Sequence, residues 1–312
     1  MTYQLQHKIY QRRFRRRLET ARGIWTIREG IVLRLEDADG RTEFGEIAPI
    51  EDFGTESLTA ALKFLDALGN HWDGSIPHEL PCCAFALTSA EAWIRGNFEI
   101  KPSTLETAFL LPAGKPALAV QEEMLLAGFR TFKWKMGIGN SASEMATAKK
   151  LAVNGKLRLD ANGCLDLTET EAWLEYIETL TEVEYLEQPL SRGRWRECLP
   201  LFERFSTPIA LDEDANQAKD WPGVLIIKPC LLGDVQSSVR ILNTAKVVAS
   251  SALETSIGKE AALRLAIGTE PAIGFGVKEL FPEDGLDLHD TGPQIAVGRI
   301  GLREMLEIWK RI

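Results

Sequence analysis

The sequence predicts an α/β protein in which a (β/α)-barrel follows an N-terminal α+β domain, and three observations support that prediction. From about residue 105, short apolar strands alternate with amphipathic helices, as in parallel βαβ units. Five successive strands end in a charged residue at intervals of 25, 27, 25 and 16 residues, which suits a barrel with short loops. The first barrel segment, TAFLL, is followed by GKPA at 114–117, not by the Gly-rich phosphate turn of a doubly wound sheet.

The first hundred residues show strands and helices in separate blocks, which is typical of an α+β unit. Residues 30–36 alternate apolar and polar side chains, DADG at 37–40 predicts a turn, and residues 41–47 read as the return strand. Helical patterns follow at about 56–69 and 82–95. We therefore expect a first domain over residues 1–100.

The barrel is predicted over residues 101–280. Its eight strand segments read TAFLL, TFKWK, KLRLD, VEYLE, PIALD, VLIIK, AKVVAS and AIGFG. Residues 281–312 contain no further βα unit, so we expect them to pack back on the first domain.

Composition excludes several classes of protein. The chain has 312 residues, 45% of them hydrophobic, which is enough for a folded core. Its 36 basic and 45 acidic residues give a net charge of −9, which disfavours general nucleic-acid binding. No apolar run approaches a membrane span and the N-terminus lacks a secretory signal. Five cysteines without a CxxC pair predict a reduced, cytoplasmic protein with no zinc cage.

A basic run, RRFRRR at residues 12–17, departs from this acidic average. It has two interpretations, a phosphate-binding patch or a solvated edge strand whose arginines discourage edge-to-edge pairing. We favour the solvated strand because the run is short.

Charged residues at the ends of neighbouring parallel strands meet at one opening of a barrel. The residues in question are Lys135, Asp160, Glu187, Asp212 and Lys228. The three carboxylates repel one another unless a cation lies between them, and an all-oxygen ligand set selects Mg²⁺, with Mn²⁺ as a substitute. The opening is therefore predicted to hold a divalent metal and a small carboxylate substrate.

Two lysines on one strand supply a candidate base. Lys133 and Lys135 lie two residues apart, so both face inward while Trp134 faces the surrounding helices. Two ammonium groups close to each other and to a metal cannot all stay charged cheaply, so at least one is predicted to be neutral near pH 7. Lys135 is nearer the strand end and is the predicted base.

These motifs resemble the muconate-lactonising branch of the enolase superfamily, whose fold is a modified TIM barrel with an N-terminal α+β capping domain. The motifs are KWK at 133–135, DAN at 160–162, EQP at 187–189, DE at 212–213 and KP at 228–229. Two further segments resemble the o-succinylbenzoate synthase family, namely GEIAPIEDFGTES at 45–57 and SSALETSIG at 250–258.

The resemblance implies a role for each site residue. Asp160, Glu187 and Asp212 would bind the metal, supported by Asn162. Lys135 would transfer the proton. Lys133 would orient the Lys135 side chain and help to depress the pKa of Lys135, and Lys228 would face the substrate from the other side. Substrate contacts would come from Ser250, Ser251, Ser256, Gly258, Arg158, Phe53 and Gly54. Loops near residues 20–23 and 51–56 would close the opening.

The expected activity is that of a lyase of menaquinone or phylloquinone biosynthesis, which dehydrates a succinyl-hydroxycyclohexadiene carboxylate to o-succinylbenzoate. Two alternatives remain. A racemase of N-acylated amino acids or an epimerase of dipeptides would use lysines on both faces of the substrate. A non-catalytic barrel would have no need of the intact set of carboxylates. The sequence makes no prediction of the oligomeric state.

Overall fold

The N-terminal domain is built on a four-stranded antiparallel sheet with the strand order β3-β2-β1-β4. A computed structural model describes residues 2–20, 23–97, 102–218, 220–243, 246–269 and 271–312. The strands of this sheet are β1 (Tyr3–Thr20), β2 (Gly23–Glu36), β3 (Thr42–Ile47) and β4 (His71–Trp72). The register of β1 on β2 shifts between Arg13 and Leu18, in the arginine-rich part of β1.

Two helices cover this sheet, α1 (Leu58–Leu68) and α2 (Pro81–Ile94). Helix α2 is buried along nearly its whole length, because it lies between the sheet and the barrel. Its close approach to β3 requires Gly45, since a Cβ atom there would overlap the carbonyl oxygen of Ala86. The predicted helices at 56–69 and 82–95 are therefore confirmed within two residues.

Seven parallel strands form the barrel in chain order. They are β6 (Phe109–Leu111), β7 (Thr131–Lys135), β8 (Lys156–Asp160), β9 (Val183–Glu187), β10 (Ile209–Leu211), β11 (Val224–Ile227) and β12 (Val247–Ala249). The helices around them are α3 (Pro116–Leu126), α4 (Ser141–Leu151), α5 (Leu167–Ile177), α6 (Leu199–Arg204), α7 (Val235–Leu242) and α8 (Ser256–Leu265).

The prediction of an eighth strand at AIGFG, residues 272–276, is wrong. Residues there make two single parallel bridges instead, Ile273 to Thr107 and Gly274 to Ser250. These bridges connect the two ends of the seven-stranded sheet and close the barrel. Glycines explain the irregularity, because a Cβ atom on Gly274 would lie 2.7 Å from the Ser250 hydroxyl oxygen.

Register places the charged strand ends side by side. Lys135 pairs with Asp160, and Asp160 pairs with Glu187. Trp134 faces the other way and is fully buried in an apolar cluster that includes Ala117 of α3 and Ala148 of α4. The predicted alternation along β7 is therefore confirmed.

The C-terminal residues return to the N-terminal sheet. Strand β13 (Gln294–Val297) pairs antiparallel with β5 (Ser103–Glu106). Helix α9 (Leu302–Arg311) then packs Met305 and Ile308 against Phe44 of β3.

This return also changes the interpretation of the arginine run. Arg12 was expected to be solvated but is 1% exposed. Its guanidinium pairs with Asp284 at 2.8 Å and lies 3.9 Å from the centre of the Phe281 ring. The other described arginines of the run are exposed, as expected. Among the described residues no helix is long and apolar enough to cross a membrane.

Candidate active site

A cavity of about 940 Å³ opens at the carboxyl ends of the barrel strands. Its floor is an apolar cluster of Tyr185, Ile226 and Val248, which point inward from three strands. Its outer wall comes from the N-terminal domain, where Trp25 and Phe53 reach over the opening. The cavity therefore lies between the two domains, with charged strand ends in its middle.

The three predicted metal ligands line this cavity and are buried, with Asp160 5%, Glu187 1% and Asp212 8% exposed. The Lys133 ammonium lies 2.8 Å from Asp160 and 2.7 Å from Glu187. Lys228 pairs with Asp212 in the same way. The carboxylates are thus held together by the two lysines.

This arrangement raises the pKa of Glu187 to about 8. Burial is the main cause, and the negative charge of Asp160 adds to it. Burial lowers the pKa of Lys133, but the charges of Asp160 and Glu187 outweigh burial and hold it well above the usual value. The negative charges of this cluster favour a bound cation, because neighbouring buried carboxylates resist ionising together.

The donor set fits a hard divalent cation. Glu187 Oε2 is buried and accepts no hydrogen bond, so one ligand oxygen is unsatisfied. All three candidate ligands offer carboxylate oxygen, the donor that Mg²⁺ prefers. Within the described ranges no three acidic, histidine or cysteine side chains already form a metal-binding group. In this structure the ammonium groups of Lys133 and Lys228 provide the counter-charge for the three carboxylates.

Glu213 is a fourth carboxylate that the sequence reasoning missed. It lines the cavity, and its Oε2 is also buried without a partner. Burial and the adjacent charge of Asp212 raise its pKa to about 7. Strand alternation would have turned it away from Asp212, but β10 ends at Leu211 and alternation stops there. Its position directly after a predicted ligand was the available signal.

Lys135 and Lys228 lie in the cavity, as does Lys133. The Lys228 ammonium is 4.1 Å from the centre of the Phe53 ring, a cation–π distance. Phe53 therefore contacts the side chain that faces the metal ligands from β11. Of the two lysines on β7, Lys133 binds the carboxylates of Asp160 and Glu187, and Lys135 lies at the end of the strand.

Asn162 and Arg158 also line the cavity. Asn162 has a positive φ of 45° and supports Asp160 through its backbone N–H, which donates to Oδ1 at 2.9 Å. The expected support of Asp160 by Asn162 therefore comes from the Asn162 backbone and not from its side chain. Arg158 donates to Glu184 at 2.7 Å, and its Nη2 is buried without a partner.

The wall opposite the metal ligands contains only part of the predicted substrate set. Ser250 and Ser251 line the cavity. Ser256 does not, because its hydroxyl is fully buried and lies 2.9 Å from Nδ1 of His289. Gly258 lies behind the wall, where its N–H donates to Glu46. Neither Ser256 nor Gly258, which we expected to contact substrate, is therefore part of the cavity lining in this structure.

The segment at 51–56 lies over the opening as expected. Phe53 lines the cavity, whereas Gly54 is not part of the lining, and a Cβ atom at Gly54 would lie 2.9 Å from the guanidinium of Arg192. Arg192 holds this segment by donating to the Asp52 carbonyl at 2.5 Å. Of the predicted loop at 20–23, residues 21 and 22 lie outside the described residues, and Gly23 lines the cavity.

Comparison with known proteins identifies the class. A family model described as enolase C-terminal domain-like matches residues 117–300, and the model of the MenC N-terminal domain matches residues 19–94. The L-Ala-D/L-Glu epimerase from Bacillus subtilis shares the fold, with a TM-score of 0.76 at 19% identity over 94% of this chain and 95% of that one. The fold and the site define an enolase-superfamily barrel with its capping domain.

Nearer relatives narrow this class. The o-succinylbenzoate synthase of Thermosynechococcus vestitus is 35% identical over 87% of this chain and 92% of its own. That of Edwardsiella ictaluri is 29% identical, over 81% and 83%. A crystal structure of o-succinylbenzoate synthase from Thermosynechococcus elongatus, complexed with Mg in the active site, superposes with a TM-score of 0.85 at 32% identity, covering 99% and 100% of the two chains. The chain belongs to the o-succinylbenzoate synthase family.

Proposed function

We propose that this chain is a Mg²⁺-dependent dehydratase that converts 2-succinyl-6-hydroxy-2,4-cyclohexadiene-1-carboxylate to o-succinylbenzoate. The names of the relatives support the reaction. The observation that supports it in this chain is the meeting of three buried carboxylates and three lysines in one cavity. In the proposed domain arrangement, residues 1–100 cap a barrel of residues 101–280, and residues 281–312 pack on the cap.

The metal in this proposal is held by Asp160, Glu187 and Asp212, whose unsatisfied oxygen and mutual repulsion a divalent cation would relieve. When bound, Mg²⁺ supplies positive charge that draws electron density from the substrate carboxylate and makes the adjacent C–H acidic. Lys133, which is the counter-charge of Asp160 and Glu187 in this structure, would share that role with the bound cation.

Lys135 carries the proton in both halves of the reaction. It takes the proton next to the substrate carboxylate, and the C–H electron pair becomes ring π density. The same ammonium then gives the proton to the leaving hydroxyl, the C–O bond breaks and water departs. One lysine suffices because a syn elimination keeps both proton transfers on one face of the ring. Lys228, held against Asp212 and Phe53, contributes position and positive charge from the other side.

The remaining residues orient the substrate and exclude water. Ser250 and Ser251 border the end of the cavity that we assign to the distal carboxylate, and Arg158 lies nearer the floor. Phe53 covers the opening. The product would be an aromatic precursor of menaquinone or phylloquinone. We place this step in the cytoplasm, since the cysteines of the described part of the chain are free thiols.

The second candidate is a racemase of N-acylated amino acids or an epimerase of dipeptides. Lysines on both sides of the cavity favour it, because that chemistry needs a proton donor and acceptor on opposite faces. Residues 250–258 lack an Asp-x-Asp pair suited to a dipeptide, which favours the dehydratase.

The deciding experiment is a dehydration assay of the purified protein with the cyclohexadiene carboxylate, beside a screen of N-succinyl amino acids in deuterated solvent. We expect dehydration that stops with EDTA and returns with Mg²⁺ or Mn²⁺. Full activity after exhaustive chelation would contradict the metal site. Deuterium exchange into either amino-acid enantiomer at rates that rival dehydration would assign the racemase function instead.

A further inference from the structure

The wall formed by Ser250 and Ser251 has hydrogen-bond donors that are already engaged. The Ser250 hydroxyl donates to the Gly274 carbonyl at 3.3 Å, and the Ser251 hydroxyl donates to Glu254 at 3.0 Å. The backbone N–H groups of Ser250, Ser251, Leu253 and Gly274 also donate within the wall. A carboxylate that approached this wall would meet lone pairs instead of donors, and carboxylates accept hydrogen bonds only.

Glu254 is the group that engages the Ser251 hydroxyl and keeps it from donating into the cavity. It lies behind Ser251, is 1% exposed and uses Oε2 to accept the serine hydroxyl. Its Oε1 is buried with no hydrogen-bond partner. The Ser251 oxygen meanwhile accepts the N–H of Leu253 at 2.9 Å. The Ser251 hydroxyl therefore donates its hydrogen bond to Glu254 as long as the Glu254 carboxylate is ionised.

We propose that Glu254 takes up one proton from solvent when a ligand carboxylate binds at this wall, which frees the Ser251 hydroxyl to donate to the ligand. No covalent bond of the serine breaks: its O–H rotates from Glu254 toward the cavity, and the new proton resides on the Glu254 carboxyl. Glu254 is a positioning residue in this scheme, since it acts on the ligand through Ser251.

The surroundings of Glu254 suit such a change of charge. Burial raises its pKa to about 7, while the positive charge of Lys259 partly opposes that effect. Lys259 is itself paired with Asp287. The charged and titratable groups that interact with Glu254 are Lys259 of α8, Glu46 of β3 and Cys230 after β11.

Among these neighbours, Glu46 already accepts hydrogen bonds with both carboxylate oxygens. Its oxygens accept the N–H groups of Thr255 and Gly258 and the hydroxyl of Tyr10. Burial and the charge of Glu254 raise the pKa of the Cys230 thiol, so this thiol stays neutral. Glu254, with one accepted side-chain hydrogen bond and one unsatisfied oxygen, is therefore the carboxylate that a proton would relieve.

This inference rests on the proposed function, because that function supplies a ligand with a distal carboxylate. The test is titration calorimetry of the Mg²⁺-loaded protein with o-succinylbenzoate at pH 8, in two buffers with different ionisation enthalpies. The dependence of the observed heat on the buffer gives the number of protons taken up. For wild type we expect about one proton per site at pH 8 and almost none at pH 6. The Kd should rise about tenfold per pH unit above pH 7.

Three variants complete the experiment. Glu254→Met removes the acceptor without adding a donor, so its proton uptake should fall by about one and its Kd should lose that part of the pH dependence. Ser251→Ala should reduce the uptake in the same way and provides a second route if Glu254→Met does not fold. Glu43→Met is the matched control, because burial raises the pKa of Glu43 outside the cavity, and its uptake should equal that of wild type.

Equal proton uptake by wild type and by the folded Glu254→Met and Ser251→Ala variants would overturn the inference. In that case wild type would still dehydrate its substrate and bind the product, so the proposed function would stand. If wild type shows neither turnover nor binding of the dicarboxylate, both the proposed function and this inference fail.

Discussion

Glu187 shows at the scale of one residue why the site needs a cation. Its carboxylate is 1% exposed, and one of its oxygens has no hydrogen-bond partner. The Lys133 ammonium at 2.7 Å is its direct counter-charge, and this lysine also binds Asp160. The two ammonium groups that bind these carboxylates, Lys133 and Lys228, carry less charge than the three carboxylates together, and buried charge without compensation is costly. A divalent cation would supply the missing charge.

The variant Glu187→Gln tests this assignment. The amide removes one negative ligand while keeping the size of the side chain, so we expect weaker binding of Mg²⁺ as well as slower turnover. Direct metal titration should show at least about a tenfold loss of affinity, as for other weakened metal shells. The control is Glu171→Gln, because Glu171 is a half-buried surface residue that pairs with Arg204. A metal titration of Glu187→Gln that matches wild type would show that Glu187 is not a ligand.

Arg12 offers a stability test at the same scale. Its guanidinium is buried, pairs with Asp284 and stacks on Phe281. Arg12→Ala should lower the free energy of unfolding by about 2–3 kcal/mol, because it removes packing and leaves Asp284 without its partner. Arg16→Ala, at an exposed position of the same run, should change it by less than about 0.5 kcal/mol. Denaturant unfolding of both variants measures the difference, and equal losses would contradict it.

At the scale of elements, strand β7 shows how far alternation carries a prediction. The KWK motif places Lys133 and Lys135 in the cavity and Trp134 among the helices, as the period of two requires. The ends of β8 and β9 follow the same rule. These strands were predictable because their apolar pattern and charged ends are local features of the sequence.

Elements that depend on distant contacts were not predictable. Ser256 begins helix α8, and its burial results from His289 in the C-terminal segment. Arg12 is covered by residues about 270 positions away. Neither contact leaves a local pattern in the sequence. The AIGFG segment has the composition of a strand, yet its glycines permit an approach to Ser250 that reduces it to isolated bridges.

Gly45 tests the packing of α2 against β3. Its missing side chain lets the carbonyl of Ala86 come close, and a methyl group would push the helix off the sheet. Gly45→Ala should cost about 3 kcal/mol of unfolding free energy, as for overpacked cores. Gly292→Ala is the control, since a Cβ atom there would meet its nearest neighbour at 3.7 Å. A thermal or denaturant midpoint for Gly45→Ala equal to that of wild type would contradict this account of the interface.

At the scale of the whole molecule, the site exists because the two domains are joined around it. Arg28 of β2 is buried and donates both to the Ala48 carbonyl of the N-terminal domain and to the Ala252 carbonyl of the barrel. Arg192 of the barrel holds the segment that contains Phe53 through the Asp52 carbonyl. These contacts keep an aromatic cover over the charged strand ends.

Arg192→Ala tests whether that cover serves substrate binding. Loss of the charged donor should free the 51–56 segment and raise KM about tenfold, the effect of one charge-assisted hydrogen bond. We expect kcat to change less than KM, because the base and the metal ligands stay in place. Arg194→Ala is the control, since Arg194 pairs with Glu197 at the surface. An unchanged KM for Arg192→Ala would show that the contact does not hold the cover during binding.

The most direct test of the whole account is kcat for Lys135→Ala and Lys135→Arg. Lys135 is the proposed acid and base of both proton transfers, and general-base catalysis is typically worth 10²–10⁴-fold. Lys135→Ala should therefore lose at least about a hundredfold in kcat while still binding Mg²⁺ and product. Lys135→Arg should fail as well, because a guanidinium does not release its proton in proteins. Circular dichroism checks folding, and a folded Lys135→Ala variant within about tenfold of wild type would contradict the mechanism.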